Sequence, residues 1–143
     1  MAVQRNDPYP ALNFSVELDG VSVAHFAEVS GLEVTIDVIE YRNGSEDITA
    51  RKLPGLAKYA NITLKRGIVG DLSLWQWLST VRHGAAERRN GVIALLDERR
   101  EPVLRFRFRR GWPCKWAGPG LNARSNEIAI ETLEICHEGL DIE

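Results

Sequence analysis

The side chains in this sequence best suited to nucleophilic or metal chemistry are two cysteines, Cys114 and Cys136, and three histidines, His25, His83 and His137. An imidazole held beside a thiol can take its proton and leave a nucleophilic thiolate, so a Cys114–His137 pair is the arrangement to consider for covalent catalysis. Their positions in the sequence give no sign of that proximity, and the local signatures that mark cysteine enzymes are absent. The histidines lack metal-ligand spacing to other ligands. Neither a Gly-x-Ser-x-Gly elbow nor a phosphate-cradling Gly-x-x-x-x-Gly-Lys-Ser/Thr loop occurs. The reading is therefore a chain with no catalytic residue, no cofactor and no metal site. Both cysteines read as reduced packing residues, since one bridge at most is possible and nothing else suggests an oxidising compartment. Glycosylation-like triplets at Asn13, Asn43 and Asn61 matter only in a secretory pathway.

The other chemical feature is a cationic stripe. Arg105, Arg107 and Arg109 alternate with Leu104, Phe106 and Phe108, which on a strand separates a guanidinium face from an aromatic one. With Arg110, Trp112 and Trp116 nearby, such a face could contact phosphates and stack on bases. A solvated or salt-bridged face is the commoner origin of this pattern. The whole chain has 18 basic against 20 acidic residues and a net charge of -2, without the cationic excess of most nucleic-acid binders. The nucleic-acid-binding module using Arg105, Arg107 and Arg109 is kept as the alternative from another class.

The elements that position these residues are mostly strands. In 143 residues, 44% of them hydrophobic and 27% charged, one globular domain is expected. The N-terminus lacks the apolar core of a signal peptide, and no run approaches the ~20 apolar residues that span a bilayer. Phe14, Val16 and Leu18 share one face of a strand, and Asp19-Gly20 predicts a two-residue hairpin with Val21 to Val29 returning antiparallel. Leu32, Val34, Ile36 and Val38 alternate with polar residues and predict a half-buried strand. Ile62 and Leu64 mark another. Asp71 is the expected N-cap of a helix carrying Leu74, Trp77, Leu78 and Val81, with Arg82 and His83 at its C-terminal end and Gly84 as terminator. Trp75 and Trp77 point to different sides of it; a wide buried stripe is the expected reason, with a partner contact for one of them as the alternative. Val92 to Leu96 suit a buried strand. In the last strand Ile128 and Ile130 have one parity and Leu133 and Ile135 the other, which a β-bulge near Glu131-Thr132 would reconcile.

From Tyr41 to Lys58 the pattern weakens into an exposed excursion, with a type II turn expected at Pro54-Gly55. Long connections of this kind are often functional, with a merely mobile loop as the alternative. The expected fold class is mainly β: an antiparallel barrel or sandwich of about eight strands with one helix. A short N-terminal arm, 1–11, and the excursion, 41–58, belong to the same single domain.

Several segments in order carry a resemblance. They are Phe26-Ala27-Glu28-Val29-Ser30-Gly31-Leu32, Lys52-Leu53-Pro54-Gly55-Leu56-Ala57-Lys58-Tyr59, Ile62-Thr63-Leu64-Lys65-Arg66-Gly67 and Leu74-Trp75-Gln76-Trp77. Trp112-Pro113-Cys114-Lys115-Trp116 with Gly118-Pro119, the stretch Asn126 to Ile135, and His137-Glu138-Gly139-Leu140 continue it. From about Leu12 almost to the end, the chain resembles the phage tail tube family that includes inner-tube proteins of contractile injection systems. The resemblance implies a barrel-like fold related to the secreted tube protein of type VI secretion (Hcp-like). It also implies hexameric rings stacked into a hollow conduit for cargo inside a contractile sheath, with baseplate, spike-adaptor and terminator partners. Such a protein would be made and assembled in the bacterial cytoplasm and carried in a phage-tail-like particle, released or not, without inserting in a membrane. A tube-initiating baseplate paralogue of the same fold is the near alternative. On this reading the excursion bridges to a neighbouring subunit or ring through Tyr41, Arg42, Asn43, Gly44, Ser45, Glu46, Asp47, Ile48, Arg51, Lys52, Leu53, Pro54 and Gly55.

Overall fold

The computed structural model describes residues 7–19, 21–23, 26–42, 44 and 50–143, with the Val21 side chain left aside. Among them are ten strands and one helix. β1 (Phe14–Leu18) pairs with β2 (Val21–Val23) in the expected hairpin, Leu18 opposite Val21, and Asp19 takes the positive φ (52°) that the turn requires. The return does not run to Val29. β3 (Phe26–Ser30) is a separate strand paired with β6 (Ile62–Gly67). With β7 (Arg89–Leu96), β8 (Pro102–Ala117) and β9 (Ile130–Cys136), the antiparallel order is β2-β1-β7-β8-β9-β6-β3, and β10 (Gly139–Ile142) pairs with β8. β2 and β3 thus form opposite borders of this order. Val23 and Phe26 are three Cα steps apart, at most about 11 Å, so the sheet must curl until its borders approach, as in a barrel.

β8 makes the main corner. Its first part, to Gly111, pairs with β7 and β10, and its second part, Trp112–Ala117, pairs with β9. Arg110 at the junction has φ 53°, a conformation uncommon for a residue with a side chain. Its N–H donates to Asn90 Oδ1 at 2.9 Å and its Nε to Glu138 Oε2 at 2.5 Å, which holds the bend.

The core follows the alternation. Val16, Leu18, Ile93 and Phe108 point inward from one part of the sheet, and Ile62, Leu64, Leu133 and Ile135 from the other. Between them lie Leu74 and Trp77 of α1 (Ser73–Arg82); Trp77 donates its indole N–H to the Glu87 carbonyl at 2.6 Å. Trp75 stays partly exposed, its ring edge-on to Trp116 at 5.0 Å and under the Arg82 guanidinium at 5.2 Å, so the buried stripe is narrower than expected. Gly84 ends the helix with φ 82°. The expected N-cap is displaced by one residue: Leu72 occupies the cap position without a side-chain bond, while Asp71 Oδ1 accepts from the Ser73 N–H at 2.9 Å. Among the described residues no helix is long and apolar enough to cross a membrane.

The bulge expected in the last strand is absent. β9 keeps unbroken register with β6 from Ile62 opposite Ile135 to Gly67 opposite Ile130. Parity is preserved because Glu131 takes an inward position, 6% exposed, beside Arg66, 1% exposed. The Arg66 Nε donates to Glu131 Oε1, and the Trp116 indole N–H donates to Oε2 at 3.1 Å. A buried carboxylate so partnered is tolerated where an isolated one would not be. Ile128 lies before the strand and is exposed.

Candidate assembly surface

β4 (Val34–Tyr41) and β5 (Arg51–Tyr59) pair antiparallel with one another and, among the described residues, with no other strand, forming a two-stranded arm. Two expectations are corrected here. The excursion is not a loop over its length, since Arg51 to Tyr59 is a strand. Pro54-Gly55 makes no type II turn either; the register moves from Ile36 opposite Ala57 to Val38 opposite Pro54, which places a β-bulge at Gly55-Leu56. A bulge satisfies the same Pro-Gly chemistry, because proline lacks the N–H that a regular ladder uses.

The strand expected to be half-buried is the least covered apolar element of the fold. Directly opposed residues share a face, so Val34, Ile36, Val38, Pro54, Ala57 and Tyr59 form one ribbon. Val34, Ile36 and Val38 remain 52%, 49% and 64% exposed. The opposite face is mixed: Thr35, Asp37 and Lys58 near the root, with Asp37 and Lys58 paired at 3.1 Å, and Ile39, Tyr41 and Leu53 farther out. Leu56 projects from the bulge, exposed. An isolated two-stranded ribbon is marginal in water, and this one presents contiguous apolar surface of the kind that marks an interaction site.

The root of the arm is tightly built. Gly31 has φ 90°, and a Cβ there would lie 2.0 Å from the Asn61 carbonyl oxygen, so the two chains entering and leaving the arm touch backbone to backbone. The Glu33 N–H donates to the Gly31 carbonyl at 2.9 Å and the Ala60 N–H to the Glu33 carbonyl at 3.3 Å. Asn61 Nδ2 donates to Glu134 Oε1 at 2.8 Å, and His137 Nε2 lies 3.0 Å from the Ala60 carbonyl.

Of the contact residues expected from sequence, Tyr41, Arg42, Gly44, Arg51, Lys52, Leu53, Pro54 and Gly55 lie on the arm or beside its tip. Asn43, Ser45, Glu46, Asp47 and Ile48 lie outside the described residues. The apolar ribbon of Val34, Ile36 and Val38 was missed as surface, because alternation reveals an apolar face without telling what covers it.

The chemical alternatives find no geometry. His137 is packed between Tyr59 and Phe108, ring centroids at 5.6 and 5.8 Å, with its ring nitrogens at the Ala60 and Gly139 carbonyls. Cys114 is exposed at the surface, yet partial desolvation of its sulfur against the sheet, then the neighbouring Cys136 thiol, push it up to about 12, the reverse of activation. The arginine stripe is exposed as expected but interleaved with carboxylates: Arg107 faces Asp141 across the ladder and pairs with Glu143 at 2.8 Å, and Arg110 pairs with Glu138. His25 lies outside the described residues. A cleft of about 820 Å³ is open and lined by Asp19, Asp71, Glu87, Arg66 and Arg89 among others, and its arginines are engaged by Glu131, Asp71 and Glu87.

A barrel-like β protein with a half-uncovered apolar ribbon on a separate arm fits the class of structural subunits that make contact with other chains. Residues 10–141 match the family model of the T4-like virus tail tube protein gp19, and the chain belongs to that family. A chain of the PVC sheath-tube complex of an extracellular contractile injection system, in its extended state, is 26% identical, with TM-score 0.88 over 96% of this chain and 93% of that one. A chain from the anti-feeding prophage cap, which terminates the AFP tube, is 30% identical, with TM-score 0.88 over 100% and 94%. Hcp1 from Flavobacterium johnsoniae, 16% identical with TM-score 0.59 over 91% and 94%, shares the fold alone. No curated protein matches in sequence. The family and these neighbours are structural tube proteins rather than enzymes.

Proposed function

We propose that this chain forms hexameric rings that stack into the hollow inner tube of a contractile injection particle. The observation that carries the reading is the exposed ribbon of Val34, Ile36 and Val38 on an arm with no strand partner outside itself among the described residues. Laid on an identical neighbour, it loses its apolar exposure, and repetition of a head-to-tail contact closes a ring or extends a stack. The contact set expected from the sequence, Tyr41, Arg42, Asn43, Gly44, Ser45, Glu46, Asp47, Ile48, Arg51, Lys52, Leu53, Pro54 and Gly55, extends this contact. A surrounding sheath, a baseplate and a terminator are the partners that likenesses to chains of a sheath-tube complex, a baseplate and a sheath/tube terminator support, and a spike adaptor is the further partner that the family resemblance implies. The conduit carries cargo after assembly in the bacterial cytoplasm, and the finished particle acts outside the cell that made it.

Negative-stain microscopy of the purified protein, alone and with baseplate components, tests the proposal. Rings or hollow filaments are expected, and deletion of residues 45–51 should leave a folded subunit that does not polymerise. A monomer that persists in both conditions would overturn the reading; a single ring capping a baseplate, without elongation, would point to the initiating paralogue.

A further inference from the structure

Cys114 and Cys136, both free, sit on neighbouring strands. β8 and β9 pair at Trp112–Cys136 and Pro113–Ile135, then resume at Lys115–Glu134, which leaves Cys114 as the extra residue of a bulge. Pro113 and Ile135 are buried while Cys114 is exposed and Cys136 half-buried, so both thiols lie on the outer side of this strand pair. Cys136 is the neighbouring thiol that acts on Cys114, whose own S–H donates to the Glu134 carbonyl at 3.5 Å. Asn61, the second residue after β5, donates its amide to Cys114 Sγ at 3.7 Å. Two thiols on one side of directly paired antiparallel strands, with Cys136 opposite Trp112 and Cys114 in the bulge two residues on, are placed within the reach that a disulfide requires.

We propose that Cys114 and Cys136 form a dithiol–disulfide site, closed to an intrachain bridge by a low-molecular-weight disulfide such as oxidised glutathione. One cysteine thiolate attacks a sulfur of the small disulfide, breaking its S–S bond and releasing one small thiolate. The second cysteine, on losing its proton, attacks the protein sulfur of the mixed disulfide and expels the other small thiolate. The protein loses two electrons and two protons; the small disulfide gains the electrons and leaves as two thiols. The high pKa of Cys114 makes closure slow at neutral pH and faster as pH rises. Closure fastens β8 to β9 beside Ala60 and Asn61, where the arm is rooted, and replaces a thiol proton now given to Glu134. A subunit kept as a dithiol in a reducing compartment would thus be stapled at the arm root in an oxidising one.

The full chain, equilibrated in glutathione buffers from fully reduced to fully oxidised and then acid-quenched and alkylated, gives a direct test by intact-mass analysis. We expect both cysteines to lose alkylation together, the monomer mass to fall by two hydrogens, and the unfolding midpoint to rise. Cys114→Ser and Cys136→Ser should each yield a glutathione adduct on the remaining cysteine and no rise. Two alkylatable thiols in the most oxidising buffer, a stable glutathione adduct on the unmodified chain, or intermolecular dimers alone would each overturn the site. The readout is independent of polymerisation, so it stands whether or not the tube reading does.

Discussion

Replacing Ile36 and Val38 together by serine separates assembly from folding. In the subunit these side chains are 49% and 64% exposed, so roughly half of each remains for a partner to cover. Complete burial of a Val or Ile side chain is worth about 1.5–3 kcal/mol, and covering the outstanding halves of two contributes about 2 kcal/mol per contact. That corresponds to a loss of roughly 30-fold in the association constant of each arm contact. Because every added subunit makes this contact, the critical concentration for tube growth should rise by about the same factor. The subunit itself should keep its urea midpoint, with a stability change within about 0.5 kcal/mol as for surface substitutions elsewhere. Sedimentation of baseplate-seeded tubes against soluble protein, over a concentration series, measures the threshold. Thr35→Ala, on the mixed face near the root, serves as the control and should leave it in place. A threshold for the double variant within about threefold of the parent, with the subunit folded, would refute the argument that this ribbon is buried in the assembly.

Three further outcomes are expected. Gly84→Ala meets no atom within 4 Å and should cost only the positive-φ penalty of ~1–2 kcal/mol, whereas Gly31→Ala adds a Cβ 2.0 Å from the Asn61 carbonyl oxygen and should cost clearly more in urea unfolding. Equal costs would show that the arm root is looser than described. Arg66→Met, which leaves the buried Glu131 carboxylate without its cation, should destabilise by ~3–5 kcal/mol, and Glu131→Leu, after which Arg66 keeps only Asp71, should cost less, while the double variant Arg66→Met with Glu131→Leu recovers much of the loss in a double-mutant cycle. Hydrogen bonds from the Ser73 N–H and hydroxyl, then the Arg66 charge, hold Asp71 below its usual 3.8, so the folded state binds fewer protons there and its contribution is present above that value and lost as pH falls through the folded pKa. Acid unfolding of Asp71→Asn should therefore fall less steeply below about pH 4 than that of the parent, and coincident acid limbs would count against the cap.

Much of the architecture was legible as local alternation. The inward sets Val16 and Leu18, Ile62 and Leu64, and Phe106 and Phe108 lie where a period of two places them, because a pleated strand cannot send neighbouring side chains to one side. The Asp19 turn and the helix over Leu74 and Trp77 followed from equally local rules. The ordered run of family-like segments from Leu12 onward carried the tail tube resemblance, which the match over residues 10–141 supports.

Tertiary structure decided what covers each face. Val34, Ile36 and Val38 alternate as clearly as the core strands do, yet among the described residues their strand pairs only with β5 and they stay about half exposed, and periodicity is the same for a face turned to the core and one turned to a partner. Glu131 reads as an interruption of an apolar parity until Arg66, 65 residues away, is brought across the ladder to neutralise it. The bulge at Cys114, the sheet change at Arg110 and the division of β2 from β3 likewise depend on which distant strand lies alongside. Residue order sets the preferences of each segment, but pairing between remote segments is chosen by the free energy of the whole packed chain, and only there is the arm left uncovered.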